Sequence, residues 1–139
     1  MKGINDMRPL NDGEIEVAFD LRFVPKIRDA CTKIHTMRRD VENKLVPGAK
    51  ICLTAGGSHL VFEEKTVTSV QKIWLSSPRT ACGVRIVTCL IDGHRLEYPE
   101  IKQLAINEGF DNVQDFIDYF KGKYGSFEGK LIHWTDKKY

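Results

Sequence analysis

Apolar and polar residues alternate along Glu14–Asp20, with Ile15, Val17 and Phe19 on one face, and this period of two predicts a half-buried strand. The rhythm then changes. Phe23, Ile27 and Ala30 recur at helical spacing, so Phe23–Cys31 reads as a helix with Pro25 in its first turn. Ahead of both, Met1–Gly13 reads as an irregular arm closed by the turn signal Asn11-Asp12-Gly13. The middle of the chain is rich in strand formers. Val46-Pro47-Gly48 marks a turn, Lys50–Thr54 a short strand stopping at Gly56-Gly57, and Leu60–Leu75 one long bent strand or two short ones. Ser76–Thr80 reads as a loop and Gly83–Ile91 as a strand, and Asp92-Gly93 is a hairpin turn returning through Arg95-Leu96.

The closing third predicts two helices and a strand. Pro99 suits a first helical position, and Ile101, Leu104 and Ala105 share a face. Asn112 can cap a second helix whose apolar stripe is Val113, Phe116, Ile117 and Phe120, a core-packing pattern. Gly125–Gly129 reads as a break and Lys130–Trp134 as a last strand, and both tryptophans, Trp74 and Trp134, are assigned to the core. The sum is an α+β chain with a mostly antiparallel, barrel-like sheet and about three short helices.

Composition narrows the class. A chain of 139 residues suits one domain, taken as residues 14–139 behind the 1–13 arm, and is long enough to bury a core without covalent staples. No apolar run approaches the roughly 20 residues of a spanning helix, and Met1–Asp6 lacks the apolar stretch of a secretory signal, so a cytoplasmic protein is expected. Cys31, Cys52, Cys82 and Cys89 form no C-x-x-C pair and read as reduced thiols, and the histidines are scattered, so no metal or other cofactor is expected. A net charge of +2 excludes a polybasic nucleic-acid binder by composition. Arg22, Lys26, Arg28, Lys33, Arg38 and Arg39 nevertheless cluster, which fits either a local basic face for a polyanion or plain solvated surface. The chain has no phosphate-loop, dinucleotide or nucleophile-elbow motif.

Between the first helix and the strand-rich middle lies Lys33-Ile34-His35-Thr36-Met37-Arg38-Arg39-Asp40, unusually dense in polar groups for a junction. Side chains alternate along a strand, so Lys33 and Thr36 would face opposite ways unless a turn or helix end intervenes near Lys33-Ile34. If they converge, a desolvated lysine can take the proton of a hydroxyl. The bland alternative is a solvated connection.

The run Lys33-Ile34-His35-Thr36-Met37-Arg38 resembles the K-T-x-T-x-R signature of ASCH domains, a branch of the PUA-like β-barrels. Ala105–Phe110, Asp118-Tyr119-Phe120, Tyr124-Gly125 and Gly129–Trp134 look like the closing half of ASCH-like proteins carried by phages and prophages, and the likeness spans about Glu14–Trp134. The chain departs from the family in reading Ala30-Cys31-Thr32 where a glycine usually precedes the lysine, and Ile34 where threonine is common. Some family members are amidohydrolases that deacetylate acetylcytidine. That resemblance implies Thr36 as nucleophile, Lys33 as its base and Glu108 as proton carrier or orienting partner. Other relatives are proposed to bind or cleave RNA, which would make Lys33, Thr36, Arg38, Arg39 and His35 contacts to RNA or a nucleotide. Three readings follow: an RNA- or nucleotide-binding module, a small amidohydrolase for a modified nucleoside, or an interaction protein without catalysis.

Overall fold

The protein is described by a computed structural model over residues 7–78, 82–83, 86–121 and 126–139. Parts of four sequence expectations lie outside the described residues: the start of the 1–13 arm, the end of the Ser76–Thr80 loop, positions 84–85 of the strand expected from Gly83, and Tyr124-Gly125. In chain order the elements are β1 (Arg8–Pro9), β2 (Ile15–Phe19), a 3-10 turn (Leu21–Phe23), α1 (Val24–Arg28), β3 (His35–Arg38), β4 (Lys50–Ala55), β5 (Leu60–Thr66) and β6 (Ser69–Ser76). They continue with β7 (Thr88–Ile91), β8 (His94–Arg95), α2 (Tyr98–Asn107), α3 (Val113–Phe120) and β9 (Ser126–His133).

The strands make two sheets, ordered β1-β5-β4-β2 and β3-β9-β6-β7-β8, in which every pairing is antiparallel except the parallel β2–β4 ladder. The mixed α+β reading holds, and among the described residues the strands pair as two sheets, with no closed ring of hydrogen-bonded strands. β4 shows why its sequence does not alternate. It lies between β5 and β2, and Ile51, Cys52, Leu53, Thr54 and Ala55 are all buried. β2, at the sheet edge, keeps the alternation expected of it, burying Val17 and Phe19.

Four expectations are corrected. Arg8 and Pro9 of the supposed irregular arm pair with Val61 and Leu60 at an edge, where a proline's missing N–H costs nothing. Of the strand expected over Gly83–Ile91, Thr88–Ile91 forms, and the described Ile86 and Val87 ahead of it are not strand. The last strand begins at Ser126 rather than Lys130, because Gly129 is a strand residue and not a breaker. A Cβ there would lie 2.7 Å from the Arg38 carbonyl oxygen and 2.8 Å from the Phe127 ring, so glycine is what lets β9 approach β3. Trp74, assigned to the core, stands 37% exposed on the outer face of β6.

One apolar cluster runs through both sheets and takes in Leu104 and Ala105 of α2 and Phe116 and Ile117 of α3. The α3 stripe packs as its spacing predicts. Phe116 meets Phe110 and Phe120, and Phe120 reaches Phe127 of β9, each pair edge to face at 5.3–5.6 Å between centroids. Asn112 caps α3 by accepting a hydrogen bond from the Asp115 N–H at 2.8 Å. No helix among the described residues is long and apolar enough to cross a membrane.

Candidate functional site

The site begins with two chain reversals. The first follows α1. Thr32 and Lys33 both donate their backbone N–H to the Lys26 carbonyl, and Cys31 takes a left-handed φ of 55°. Glycine is the residue that adopts such a φ without a Cβ penalty, and here an exposed cysteine holds it. Ile34 N–H then bonds to the Asn107 carbonyl at 2.9 Å, and regular strand starts only at His35. Lys33 is therefore outside the strand alternation, and it lines the same pocket as Thr36.

The second reversal ends α2. Phe110 N–H bonds to Ala105 O and Gly109 N–H to Ile106 O, with Gly109 at φ 104°, the pattern of a Schellman C-cap. Glu108 is the C-cap residue. A carboxylate near a helix N-terminus would be favoured by the dipole, which is a plain reason to find one there, but Glu108 sits at the opposite end, where the dipole disfavours it. Its charge is held by other means. Lys33 Nζ lies 3.2 Å from Glu108 Oε2 and also donates to the Glu108 carbonyl, the Met37 N–H donates to Oε2 at 2.9 Å, and His35 Nδ1 lies 2.8 Å from Oε1. Lys33 thus also caps the carbonyl end of α2, as Lys26 does one residue later by donating to the Gly109 carbonyl at 2.7 Å.

Lys33 and Glu108 are each only 2% exposed. Burial pushes the Lys33 ammonium down to about 8, against the opposing pull of Glu108. Burial also pushes the Glu108 carboxyl upward, but Lys33, His35 and the Met37 N–H outweigh it, and the group is held below its ordinary value, hence ionised at neutral pH. His35 is lowered by burial and is neutral there.

The pocket is a cavity of about 240 Å³. Lys33, Thr36 and Glu108 form its polar wall, and Phe19, Phe23 and Phe120 contribute apolar surface. Arg38 Nε donates to Thr36 Oγ1 at 3.1 Å, and another of its nitrogens donates to the Ala18 carbonyl, with the guanidinium 4.8 Å from the centroid of the Phe19 ring. Because Arg38 donates to that oxygen, the Thr36 proton is left to point elsewhere. Tyr119 also faces the pocket, its hydroxyl donating to Asp20 Oδ2 at 3.0 Å, and the Gly56-Gly57 turn forms part of the rim.

Four of the sequence-predicted residues, Lys33, Thr36, Arg38 and Glu108, therefore meet in one cavity. Two do not. His35 is fully buried on the other face of β3, so it cannot touch a ligand in this pocket and acts only through Glu108. Arg39 is exposed and lines a separate, open groove with Lys72, Trp74 and Lys130. Sequence reasoning missed Tyr119 and Asp20 at the rim, and Tyr139 and Asn107 behind Glu108. Tyr119 did carry a signal, since its polar tip falls beside the apolar stripe of α3 rather than within it.

Glu14, Cys52 and Glu64 also bring ligand-type atoms within 4.8 Å of one another, but the Arg8 guanidinium already binds both carboxylates at 2.7–3.0 Å. Arg8 is the first cause holding the Glu14 carboxyl down to about 2. This cluster is an ion-pair network that fastens β1 to the sheet.

No family model matches the chain, and no curated protein or solved structure matches it either. The ASCH likeness rests on the motifs quoted above.

Proposed function

We propose that the protein is a small amidohydrolase that removes an acyl group from the exocyclic amine of a modified nucleoside such as acetylcytidine. The observation that carries this reading is the desolvated Lys33–Glu108 pair set on the wall of a cavity that Thr36 also lines. A lysine held near pH 8 is partly neutral at neutral pH and can accept a proton, which an ordinary surface lysine does not do. The cavity lies just below the usual range of small-molecule sites, roughly 300–1,000 Å³, and suits a nucleoside better than a length of polymer.

In this mechanism neutral Lys33 Nζ takes the Thr36 hydroxyl proton as Oγ1 attacks the acyl carbonyl carbon. Arg38 Nε, already donating to Oγ1, holds that oxygen in place and eases the loss of its proton, while the negative charge of the attack passes to the acyl oxygen. The carbon–nitrogen bond breaks, the Lys33 ammonium returns its proton to the leaving amine, and the acyl group stays as an ester on Thr36. Water, deprotonated by Lys33, then releases the carboxylic acid and regenerates the hydroxyl. Glu108 remains ionised and holds Lys33 in place. The structure has no hydrogen bond between Lys33 Nζ and Thr36 Oγ1, and catalytic contacts commonly tighten only when substrate is bound. On this reading the two sheets form an ASCH-type, PUA-like barrel, and the protein works in the cytoplasm.

The test is incubation of the pure protein with acetylcytidine and chromatography for cytidine. Turnover is expected from wild type, little or none from Lys33→Ala or Thr36→Val, and partial retention from Thr36→Ser. No turnover by wild type over many hours would exclude this substrate.

A second reading, an RNA-binding module, is favoured by one observation. Exposed Trp74 stands in a groove with Arg39, Lys72 and Lys130, and unpaired bases stack on such indoles. Binding of a short single-stranded RNA that weakens on Trp74→Ala, with Lys33→Ala unaffected, would place the ligand in that groove and not in the pocket.

A further inference from the structure

Behind the pocket, a chain of hydrogen-bonded side chains, buried except for the half-buried Tyr139, ends on the carboxylate the proposed mechanism uses. Asn107 Nδ2 lies 2.7 Å from the Tyr139 hydroxyl, that hydroxyl lies 2.7 Å from His35 Nε2, and His35 Nδ1 lies 2.8 Å from Glu108 Oε1. Tyr139 is fixed by both of its backbone groups, its N–H donating to Gln71 Oε1 at 2.9 Å and its carbonyl accepting from Gln71 Nε2 at 2.7 Å. Its ring stands edge to face with the His35 imidazole, centroids 5.5 Å apart.

The donors in this chain have one consistent direction. An ionised carboxylate can only accept, so a neutral His35 must carry its proton on Nδ1. Nε2 is then an acceptor and Tyr139 its donor. Tyr139 has one proton to give, so its oxygen must accept from Asn107, whose own carbonyl accepts from Gln103 Nε2 at 2.9 Å. Reversing the His35–Tyr139 or the Tyr139–Asn107 link would require a doubly protonated His35, and reversing the Glu108 link would require a protonated carboxyl. Without the Tyr139 donor, Nε2 would be a buried acceptor with no partner, and the ring proton could move there. The bare Nδ1 lone pair would then face the carboxylate and repel it.

We propose that Tyr139 is a positioning residue: by donating to His35 Nε2 it keeps the imidazole proton on Nδ1, where it holds Glu108 toward Lys33 and the Met37 N–H. The direction of the hydrogen bonds stands by itself, and the consequence for turnover rests on the hydrolase reading above.

Long-range proton–nitrogen NMR of the full chain, with the His35 signals assigned by comparison with His35→Gln, reads the tautomer directly. Wild type is expected to show His35 neutral with Nδ1 protonated. Tyr139→Phe, which keeps the ring and its packing, is expected to shift the population toward the Nε2-protonated form. A merely structural role for Tyr139 would leave the tautomer unchanged. An Nε2-protonated ring or an imidazolium in wild type would overturn the proposal, as would an unchanged tautomer in Tyr139→Phe; the wild-type spectrum alone tests the direction of the hydrogen bonds. With acetylcytidine, kcat of Tyr139→Phe is expected to fall by about tenfold at unchanged KM, short of the roughly hundredfold or more that losing the acid–base group itself would cost. If wild type turns over nothing, the hydrolase reading fails and the tautomer result still decides the positioning of Glu108.

Discussion

At pH 7 about a tenth of Lys33 is neutral if its ammonium ionises near 8, and only that fraction can accept the Thr36 proton. Turnover is therefore expected to rise about tenfold per pH unit below 8 and to level off above it, which a pH profile of kcat/KM checks. A flat profile between pH 6 and 9 would rule out Lys33 as the base. Stability follows the same group. Its value falls from 10.5 in the unfolded chain to about 8 in the fold, so between those limits the unfolded state binds more protons and stability rises with pH. Below 8 both states are charged and the cost of burying the ammonium is fully present. Removing one partner should expose that cost. Glu108→Gln is expected to destabilise by about 3 kcal/mol, whereas Lys33→Met with Glu108→Met should recover most of the loss, since a buried charge without a partner is worse than no charge. Urea unfolding of the three proteins measures both differences.

Among the elements, the chain reversals matter more to the site than the strands do, and they were the least legible. The alternation of β2, the stripe of α3 and the Asp92-Gly93 hairpin could be read because period and turn chemistry are local. Gly129 was misread as a breaker because its reason is a contact with Arg38, 91 positions earlier in the sequence. Thr36 and Arg38 follow from one strand, but Glu108 joins them only because α2 ends in a Schellman turn, and nothing in the local pattern says where that turn points. Gly109 is the element-scale key. A Cβ there would lie 2.9 Å from both Lys33 Cδ and the Phe23 ring, at a φ of 104°. Gly109→Ala is expected to cost about 3 kcal/mol from left-handed strain and overpacking together, read as a lowered Tm. Cys31→Gly, at the other reversal, relieves a left-handed φ of 55° on an exposed residue and is expected to leave stability unchanged within about 1 kcal/mol.

Across the whole molecule, the question is whether the cavity and the groove serve one ligand or two. Arg38 and Arg39 are consecutive, yet Arg38 faces the cavity against Phe19 while Arg39 lies over Phe127 beside the groove. On the hydrolase reading a nucleoside occupies the cavity, whose polar lining is Lys33, Thr36, Arg38 and their neighbours. A polyanion would have to cross from one to the other to use every basic residue of the 33–39 segment, and Lys130 in the groove is already committed to Asp40 and Asn43. Salt separates the two cases. A strand whose phosphates engaged Lys33, Arg38 and Arg39 would release counterions at three contacts, so its affinity should fall by roughly twentyfold between about 50 and 200 mM salt. An uncharged nucleoside releases none, so its KM should change by less than about twofold over the same range. With a net charge of only +2 the chain has little long-range field to blur the comparison. Measured side by side, a salt-insensitive KM for acetylcytidine with weak, steeply salt-dependent RNA binding would assign the cavity to the nucleoside. Comparable salt slopes for both ligands would mean the cavity serves a phosphate backbone, and the hydrolase reading would fall.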